Sequence, residues 1–176
     1  MTRLPTEKII SYIGNGAPKL VERSMADCKI SQEECLSTFL DLYEKNICIQ
    51  TDFYPGIQEF LKELQSQKIV ATVLTNKPQN MTDKLLKKLD ATKYFQLIYG
   101  PEAYGRKPEP NGLLETLKQL NIQTQDAFMV GDHTTDLDAA KNAGVKSIFC
   151  HFGLGTKEGC SPDYEITTGD ELFKFL

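Results

Sequence analysis

Three polar motifs in this sequence combine residue types that bind phosphate or a hard cation. Each follows a short apolar run typical of a β-strand, and open α/β sheets bind ligands at the carboxyl ends of their strands. The first motif, Leu74-Thr75-Asn76-Lys77-Pro78, offers a hydroxyl and free backbone N–H groups ahead of a predicted helix. Unpaired donors and the helix dipole favour an anion there. The competing interpretation is a capping turn in which Thr75 or Asn76 begins the helix.

The second motif places a lysine in a glycine-flanked turn, Tyr104-Gly105-Arg106-Lys107-Pro108-Glu109-Pro110. Lysine carries a compact positive charge, which Lys107 could direct at a phosphoryl group and at a neighbouring carboxylate. The alternative is an ordinary solvated side chain, which describes most surface lysines. By itself the motif favours the solvated alternative.

The third motif, Met129-Val130-Gly131-Asp132-His133-Thr134-Thr135-Asp136, ends a predicted strand with two aspartates four residues apart. If a helix begins near Thr135, both carboxylates face one site, and hard oxygen ligands of this kind suit Mg²⁺. Alternatively, both aspartates only stabilise the helix N-terminus, by about 0.3–1 kcal/mol each. Because all three motifs follow strands of one sheet, we favour a single site. Its candidate residues are Thr75, Asn76, Lys107, Asp132 and Asp136.

The elements around these motifs predict an α/β fold with a Rossmann-like parallel sheet. From Lys68 onward, β-rich apolar runs alternate with segments of helical periodicity, the pattern of βαβ units. Most of the predicted strands are apolar on both faces, so we expect helices to cover the sheet on each side. The predicted strands span 69–74, 95–99, 127–130 and 145–150, the predicted helices include 57–64 and 113–120, and a final short strand and helix lie near Tyr164 and Phe173.

The first fifty residues are predicted to be helical and to form a partial helical cap domain, 1–50, ahead of a core domain, 51–176. Ser31 and Glu34 make a capping box, and the apolar spacing that follows predicts a helix over 31–45. An earlier helix is expected over 17–25, after the turn Gly14-Asn15-Gly16. No convincing strand is predicted in this part of the chain.

Composition excludes several classes of protein. With 176 residues, the chain is long enough for one domain with a small accessory. Its apolar runs are too short to span a membrane, and its start has no secretion signal, so a cytoplasmic location is expected. The net charge of −4 and the lack of a basic block argue against a nucleic-acid partner. The five cysteines are predicted to be reduced thiols, with Cys150 buried as a small hydrophobe.

Together, the motifs resemble the haloacid dehalogenase-like phosphatases. Thr75 resembles the family's motif II threonine, and Lys107 its motif III lysine. Gly131-Asp132 with Asp136 resembles the acidic pair of motif IV. The segment Tyr12-Ile13-Gly14-Asn15-Gly16-Ala17 is similar to the helical cap of the phosphoglycolate phosphatase branch.

This resemblance implies a Mg²⁺-dependent phosphatase for a small phosphorylated metabolite such as 2-phosphoglycolate, acting as a monomer or homodimer. An aspartate would attack the phosphorus, and water would hydrolyse the resulting aspartyl-phosphate. Thr75, Asn76 and Lys107 would bind the phosphoryl group. Asp132 would bind Mg²⁺ directly, and Asp136 would act through water or orient its neighbours. The histidines His133 and His151 are expected to be local polar groups.

The sequence departs from the family at its first motif, Asp-x-Asp-Gly-Thr, which should end the first, central core strand. The one Asp-x-Asp, Asp136-Leu137-Asp138, lies inside a predicted helix and lacks the Gly-Thr. We therefore expect that the first core strand, the first cap helix and the nucleophile are absent from these residues. Two alternatives stay open: a nucleophile-free remnant that binds a phosphorylated ligand or a protein without catalysis, and a phosphosugar mutase or pyrophosphatase of the same superfamily.

Overall fold

The computed structural model describes residues 3–25 and 30–176 of the chain. Short 3-10 helices follow α5, α7 and β5, at Thr92–Tyr94, Thr124–Asp126 and Gly169–Phe175. The α-helices are α1 (Thr6–Ile10), α2 (Ala17–Ser24), α3 (Gln32–Lys45), α4 (Ile57–Ser66), α5 (Gln79–Lys88), α6 (Pro101–Tyr104), α7 (Asn111–Leu120) and α8 (Thr134–Ala143). The strands are β1 (Thr72–Leu74), β2 (Leu97–Tyr99), β3 (Phe128–Gly131), β4 (Lys146–Cys150) and β5 (Tyr164–Ile166).

These strands form two parallel sheets. In the first, β1 pairs with β2, and Val73 lies opposite Ile98. In the second, β4 pairs with both β3 and β5, and Ile148 lies opposite Val130 and Tyr164. Within the described ranges, no backbone ladder joins β1 to β3, so each of these strands pairs along one edge only. Parallel strands connected by helices confirm the predicted α/β fold class.

Two helices connect the sheets through the hydrophobic core. Leu113 and Leu117 of α7 belong to a buried cluster with Met129 of β3, and Leu74 of β1 packs against that cluster. Ile57 of α4 packs against the cluster around Ile148 in the second sheet and also against the cluster around Leu61, which includes Ala71 just before β1. The two sheets are therefore joined by side-chain packing on shared helices.

The local signals in the sequence locate most helices correctly. Ser31 caps α3 by accepting a hydrogen bond from the Glu34 N–H at 3.2 Å, and the helix ends at Lys45 as predicted. The helix after the glycine turn, α2, begins at Ala17 and ends one residue earlier than expected. Gly144 ends α8 in the left-handed conformation, with φ of 70°, which glycine adopts at little cost. The final strand near Tyr164 is also present as β5.

Most strands are less buried than their apolar sequences suggest. All residues of β1 and β2 are half-buried, and Phe128 and Val130 of β3 are 41% and 42% exposed. Only β4 is buried along most of its length. Because β1 and β3 pair along one edge each, their other edges do not receive the cover that a central strand would have.

The strand predicted over 69–74 is shorter than expected for a local reason. The Ile69 N–H donates to the Leu64 carbonyl at 2.8 Å and completes the last turn of α4, while Lys68 adopts a positive φ of 59°. These residues end a helix instead of beginning a strand. No helix in the described ranges is long and apolar enough to cross a membrane.

Candidate active site at the carboxyl ends of the strands

A cavity of about 440 Å³ lies where β1 and β3 end. Helices α1 to α3, which precede the sheets, supply its other wall. All five candidate residues line this cavity, although they come from three separate loops and, for Asp136, from the first turn of α8. From the sheets and their loops it is lined by Thr75, Asn76, Lys77, Pro78, Lys107, Asp132, His133, Thr135 and Asp136, and from the leading helices by Ile9, Ile13, Gly14, Gly16, Ala17, Leu20, Phe39 and Tyr43.

Thr75 and Asn76 follow β1 without beginning the next helix. Helix α5 starts only at Gln79, with Pro78 as its N-cap, so the interpretation of these residues as a capping turn is wrong. The Thr75 N–H extends the sheet by donating to the Tyr99 carbonyl at 3.0 Å, and the Thr75 hydroxyl oxygen accepts from the Lys77 N–H at 3.1 Å. The hydroxyl hydrogen is thereby left to donate into the cavity.

The Asn76 side chain fixes two loops at once. Its Nδ2 donates to the carbonyl oxygens of Gly14 and Lys107, both at 2.9 Å, and its Oδ1 accepts from the Lys107 N–H at 2.9 Å. The residue is 7% exposed, so these bonds satisfy a buried amide. The sequence predicts a phosphate-binding or helix-capping role for Asn76 and gives no sign of this link between loops. The side chain's partners lie 62 and 31 residues away along the chain, and no local signal reveals them.

Lys107 lies between the two sheets. With its backbone held by Asn76, its Nζ donates to the Leu74 carbonyl at 2.6 Å and pairs with Asp136 Oδ1 at 2.7 Å. Its side chain is only 11% exposed, so the interpretation as a solvated surface lysine is wrong. A buried ammonium paired with one carboxylate presents a fixed positive charge, which suits an anion in the same cavity.

Asp136 organises the end of β3. Its Oδ2 accepts from the backbone N–H groups of Asp132 and His133, both at 3.1 Å, while its Oδ1 pairs with Lys107. His133 is the N-cap of α8, and its Nδ1 accepts from the Thr135 N–H at 3.1 Å. Asp136 therefore does serve a helix N-terminus, the alternative interpretation of the motif, and it positions the lysine at the same time.

Asp132 is held by backbone N–H groups that local sequence patterns do not predict. Its Oδ2 accepts from the N–H groups of Leu154 at 2.8 Å and Gly155 at 2.9 Å. A side chain at Gly153 would overlap the Asp132 side chain, and one at Gly155 would overlap its carbonyl oxygen. The pair of glycines in Gly153-Leu154-Gly155 was the available signal, because close approach of backbone to another group requires glycine.

The donor set of this cavity is compatible with Mg²⁺. No cluster of three or more histidine, cysteine or acidic side chains that could hold a metal occurs within the described ranges. Asp132 has one carboxylate oxygen without a protein hydrogen bond in those ranges, and Asp132 and Asp136 both line the cavity. Mg²⁺ usually keeps several waters and binds through one or two carboxylates together with a substrate phosphate. The residues present fit that mode of binding.

Cys150, at the end of β4, is a buried group near the site. Burial, followed by the charges of Asp132 and Asp136, raises the pKa of its thiol to about 12. A thiol in this state is neutral at physiological pH and unreactive. The prediction that Cys150 packs as a small hydrophobe is confirmed, since it lies in the core cluster around Ile148.

Parallel strands with a hydroxyl, a paired lysine and two carboxylates beyond their carboxyl ends define a Rossmann-like protein whose site suits an anion beside a cation. The chain belongs to the haloacid dehalogenase-like hydrolases, whose family model matches residues 1–150.

Relatives and solved structures agree with this family. The chain is 31% identical to phosphoglycolate phosphatase of Aquifex aeolicus over 171 residues, which cover 97% of this chain and 79% of that protein. It is 35% identical to phosphoglycolate phosphatase 1 of Pseudomonas aeruginosa over 155 residues, covering 84% of this chain but only 57% of the relative. A predicted phosphoglycolate phosphatase of Haemophilus somnus has the same fold, with a TM-score of 0.92, 22% identity and coverage of 99% of this chain and 84% of that one.

Proposed function

We propose that this chain provides the phosphoryl-binding and metal-binding part of a phosphatase for a small phosphorylated metabolite such as 2-phosphoglycolate. The observation that carries the proposal is the position of Lys107. Its ammonium group joins the end of the β1 sheet to the carboxylate of Asp136, next to Thr75 and Asp132 in one cavity. The relatives with phosphoglycolate phosphatase as their name support the substrate class.

In the proposed reaction, the phosphoryl group binds against the donors that follow β1. The Thr75 hydroxyl and the Asn76 backbone N–H donate to its oxygens, because neither donor has a protein acceptor within the described ranges. Lys107 offsets the negative charge that develops on the nucleophile and the phosphoryl group in the transition state. Such preorganised charges stabilise a transition state more than a ground state.

Asp132 would hold Mg²⁺ in this site, and Asp136 would position Lys107 and the backbone around the metal. When bound, Mg²⁺ supplies positive charge that neutralises the phosphoryl oxygens and helps orient them. The backbone N–H groups of Leu154 and Gly155 fix one carboxylate oxygen of Asp132. Because a carboxylate group is rigid, the position of its second oxygen, the proposed metal ligand, is fixed as well.

The nucleophile in this proposal is an aspartate of an Asp-x-Asp-Gly-Thr segment, which the 176 residues do not contain. Its carboxylate attacks the phosphorus, the bond from phosphorus to the leaving oxygen breaks, and the second aspartate protonates that oxygen. Water then attacks the aspartyl-phosphate, which releases inorganic phosphate and regenerates the carboxylate.

The helices before the sheets would limit the access of water to this reaction. Gly14, in the turn between α1 and α2, accepts a hydrogen bond from Asn76 and so lies directly against the phosphoryl-binding loop. Ile9, Ile13 and Leu20 add apolar surface to the cavity wall. An apolar cover strengthens the electrostatic interactions beneath it and excludes competing hydrolysis.

The test compares the 176-residue chain with the same chain joined to an upstream β-strand segment that ends in Asp-x-Asp-Gly-Thr, called here the joined chain. We expect that the joined chain releases inorganic phosphate from 2-phosphoglycolate in the presence of Mg²⁺. The 176-residue chain should bind the same compound without releasing phosphate. A joined chain in which the first aspartate of the segment is replaced by asparagine is the matched control.

The outcomes separate the proposal from its alternatives. Phosphate release by the 176-residue chain itself, abolished by Asp132→Asn, would show that another carboxylate is the nucleophile. A correctly folded joined chain that binds 2-phosphoglycolate and never turns it over would favour a binding protein without catalysis. Transfer of the phosphoryl group between two positions of a sugar, in place of transfer to water, would favour a mutase.

A further inference from the structure

Lys77 lines the cavity, but the proposed phosphoryl-transfer reaction gives it no role. It lies two residues beyond Thr75, and its backbone N–H donates to the Thr75 hydroxyl oxygen at 3.1 Å. Its side chain leaves that loop and reaches α3. There the ammonium group donates to the Tyr43 hydroxyl and lies 4.4 Å from the centre of the Tyr43 ring. Lys77 therefore spans from the phosphoryl-binding loop to the opposite wall of the cavity.

In the part of the chain that the structure describes, the charge of Lys77 has no acidic partner. None of the ion pairs formed by residues 3–25 and 30–176 includes it. The two carboxylates that line the cavity are engaged elsewhere, since Asp136 pairs with Lys107 and Asp132 accepts from the backbone of Leu154 and Gly155. Burial also lowers the pKa of Lys77, because removal from water disfavours its charged form.

A structural role, in which Lys77 only holds α3 against the core, does not explain why its ammonium group is placed beside Tyr43. A tyrosine hydroxyl is a neutral acceptor, and it satisfies one of the three donors of an ammonium group. Lys84 on α5 also contacts α3, but it pairs with the carboxylate of Glu44 and stays largely exposed. A partly buried cation whose contacts are one neutral tyrosine ring and its hydroxyl gains less than it would from a counter-charge, which a ligand can supply.

We propose that Lys77 and Tyr43 bind a carboxylate at the far end of the phosphorylated ligand. The proposal rests on the proposed function, because it takes the phosphoryl group to lie at Thr75 and Lys107. The Lys77 ammonium and the Tyr43 hydroxyl provide two donors side by side, which match the two oxygens of a carboxylate. A cavity of about 440 Å³ suits a short ligand that spans both ends.

The proposal makes Lys77 a specificity residue. A phosphate ester without the second anion would still bind at Thr75 and Lys107 but would leave the charge of Lys77 uncompensated. A phosphorylated carboxylic acid would compensate it. The site would thus distinguish ligands by their non-reacting end, and the expected preference is about tenfold or more, the value of one hydrogen bond to a charged group.

The test measures binding of two probes by calorimetry, with Mg²⁺ present, to the 176-residue chain. The probes are 2-phosphoglycolate and ethyl phosphate, which share the phosphate ester and differ in the carboxylate. We expect the chain to bind 2-phosphoglycolate at least about tenfold more tightly, and Lys77→Met to remove most of this ratio. Binding of ethyl phosphate should stay nearly constant in that variant, and Lys77→Arg should keep most of the ratio.

Lys84→Met is the matched control, because it removes the same charge from another lysine that contacts α3, outside the cavity. An unchanged ratio in Lys77→Met, or an equal loss in Lys84→Met, would overturn the inference while leaving phosphate recognition intact. Failure of the unmodified chain to bind either probe would overturn the proposed function and this inference with it. The unfolding temperature of each variant, measured in parallel, identifies a loss that comes from misfolding.

Discussion

The two sheets contribute different chemistry to one cavity. The β1-β2 sheet ends in donors for an anion, the Thr75 hydroxyl and the backbone beyond it, whereas the β3-β4-β5 sheet ends in the carboxylates Asp132 and Asp136. Lys107 belongs to neither sheet and contacts both, through the Leu74 carbonyl and Asp136. Within the described residues, no backbone ladder joins the anion-binding end of the β1-β2 sheet to the carboxylates of the β3-β4-β5 sheet. The Lys107 side chain makes that connection.

The sheets also differ in burial. Ile148 in β4 is 1% exposed, but its counterpart in the smaller sheet, Ile98, is only half-buried. Elements with few buried contacts open locally at lower free energy than the core. We therefore expect the β1-β2 sheet, which carries the phosphoryl-binding side of the site, to open more easily than β4 at the centre of the other sheet.

The largest effect is expected from removing the connection between the sheets. In the joined chain, Lys107→Ala should lower kcat/KM for 2-phosphoglycolate by about 100–1000-fold, because a preorganised charge in a closed site contributes about 3–4 kcal/mol to transition-state stabilisation. Lys118→Ala is the control, since Lys118 lies exposed on the neighbouring helix α7. A rate within the error of the unmodified protein would show that Lys107 has a structural role only.

A smaller effect is expected from the phosphoryl-binding side alone. Thr75→Val keeps the shape of the side chain and removes one hydrogen bond to a charged oxygen, which is worth about 1.5–3 kcal/mol. The rate of the joined chain should fall by about 10–150-fold. Thr75→Ser retains the hydroxyl and should recover most of the rate. Equal rates for the valine and serine variants would contradict the assigned role of the hydroxyl.

The smallest effect is expected from removing one methylene group from each sheet, which tests the difference in burial between them. Ile148→Val should lower the free energy of unfolding of the 176-residue chain by about 0.5–1.5 kcal/mol, the usual cost in a packed core. Ile98→Val, the same change in the half-buried strand β2, should cost less. The measurement is denaturant unfolding of both variants. Equal or reversed losses would mean that the two sheets are equally well packed.

Sequence patterns predicted most of the local structure because the relevant forces are local. The cap formed by Ser31, the glycine that ends α8 and the apolar strands each depend on residues a few positions apart. The same reasoning brought Thr75 and Asp132 to one cavity, because they directly follow the parallel strands β1 and β3. Lys107 lines the same cavity, but the expectation that its motif follows a strand is wrong, since helix α6 separates it from β2.

Contacts between distant parts of the chain were not predicted. The Asn76 side chain meets Gly14, and the Asp132 carboxylate meets the backbone of Leu154 and Gly155, only after the helices pack. The exposure of Val130 was missed for a related reason. Its apolar character matches a strand buried on both faces, whereas its actual burial depends on which strands pair beside it.

The most direct test of the separate metal-binding and phosphoryl-binding roles is a Mg²⁺ titration of kcat/KM for Asp132→Asn and Lys107→Ala in the joined chain. Asp132→Asn removes the charge of a proposed metal ligand, so excess Mg²⁺ should restore part of its lost rate. Lys107→Ala leaves that ligand in place and removes a charge that the metal does not replace. We predict no recovery for Lys107→Ala at any Mg²⁺ concentration. Recovery of Lys107→Ala but not of Asp132→Asn would contradict the account.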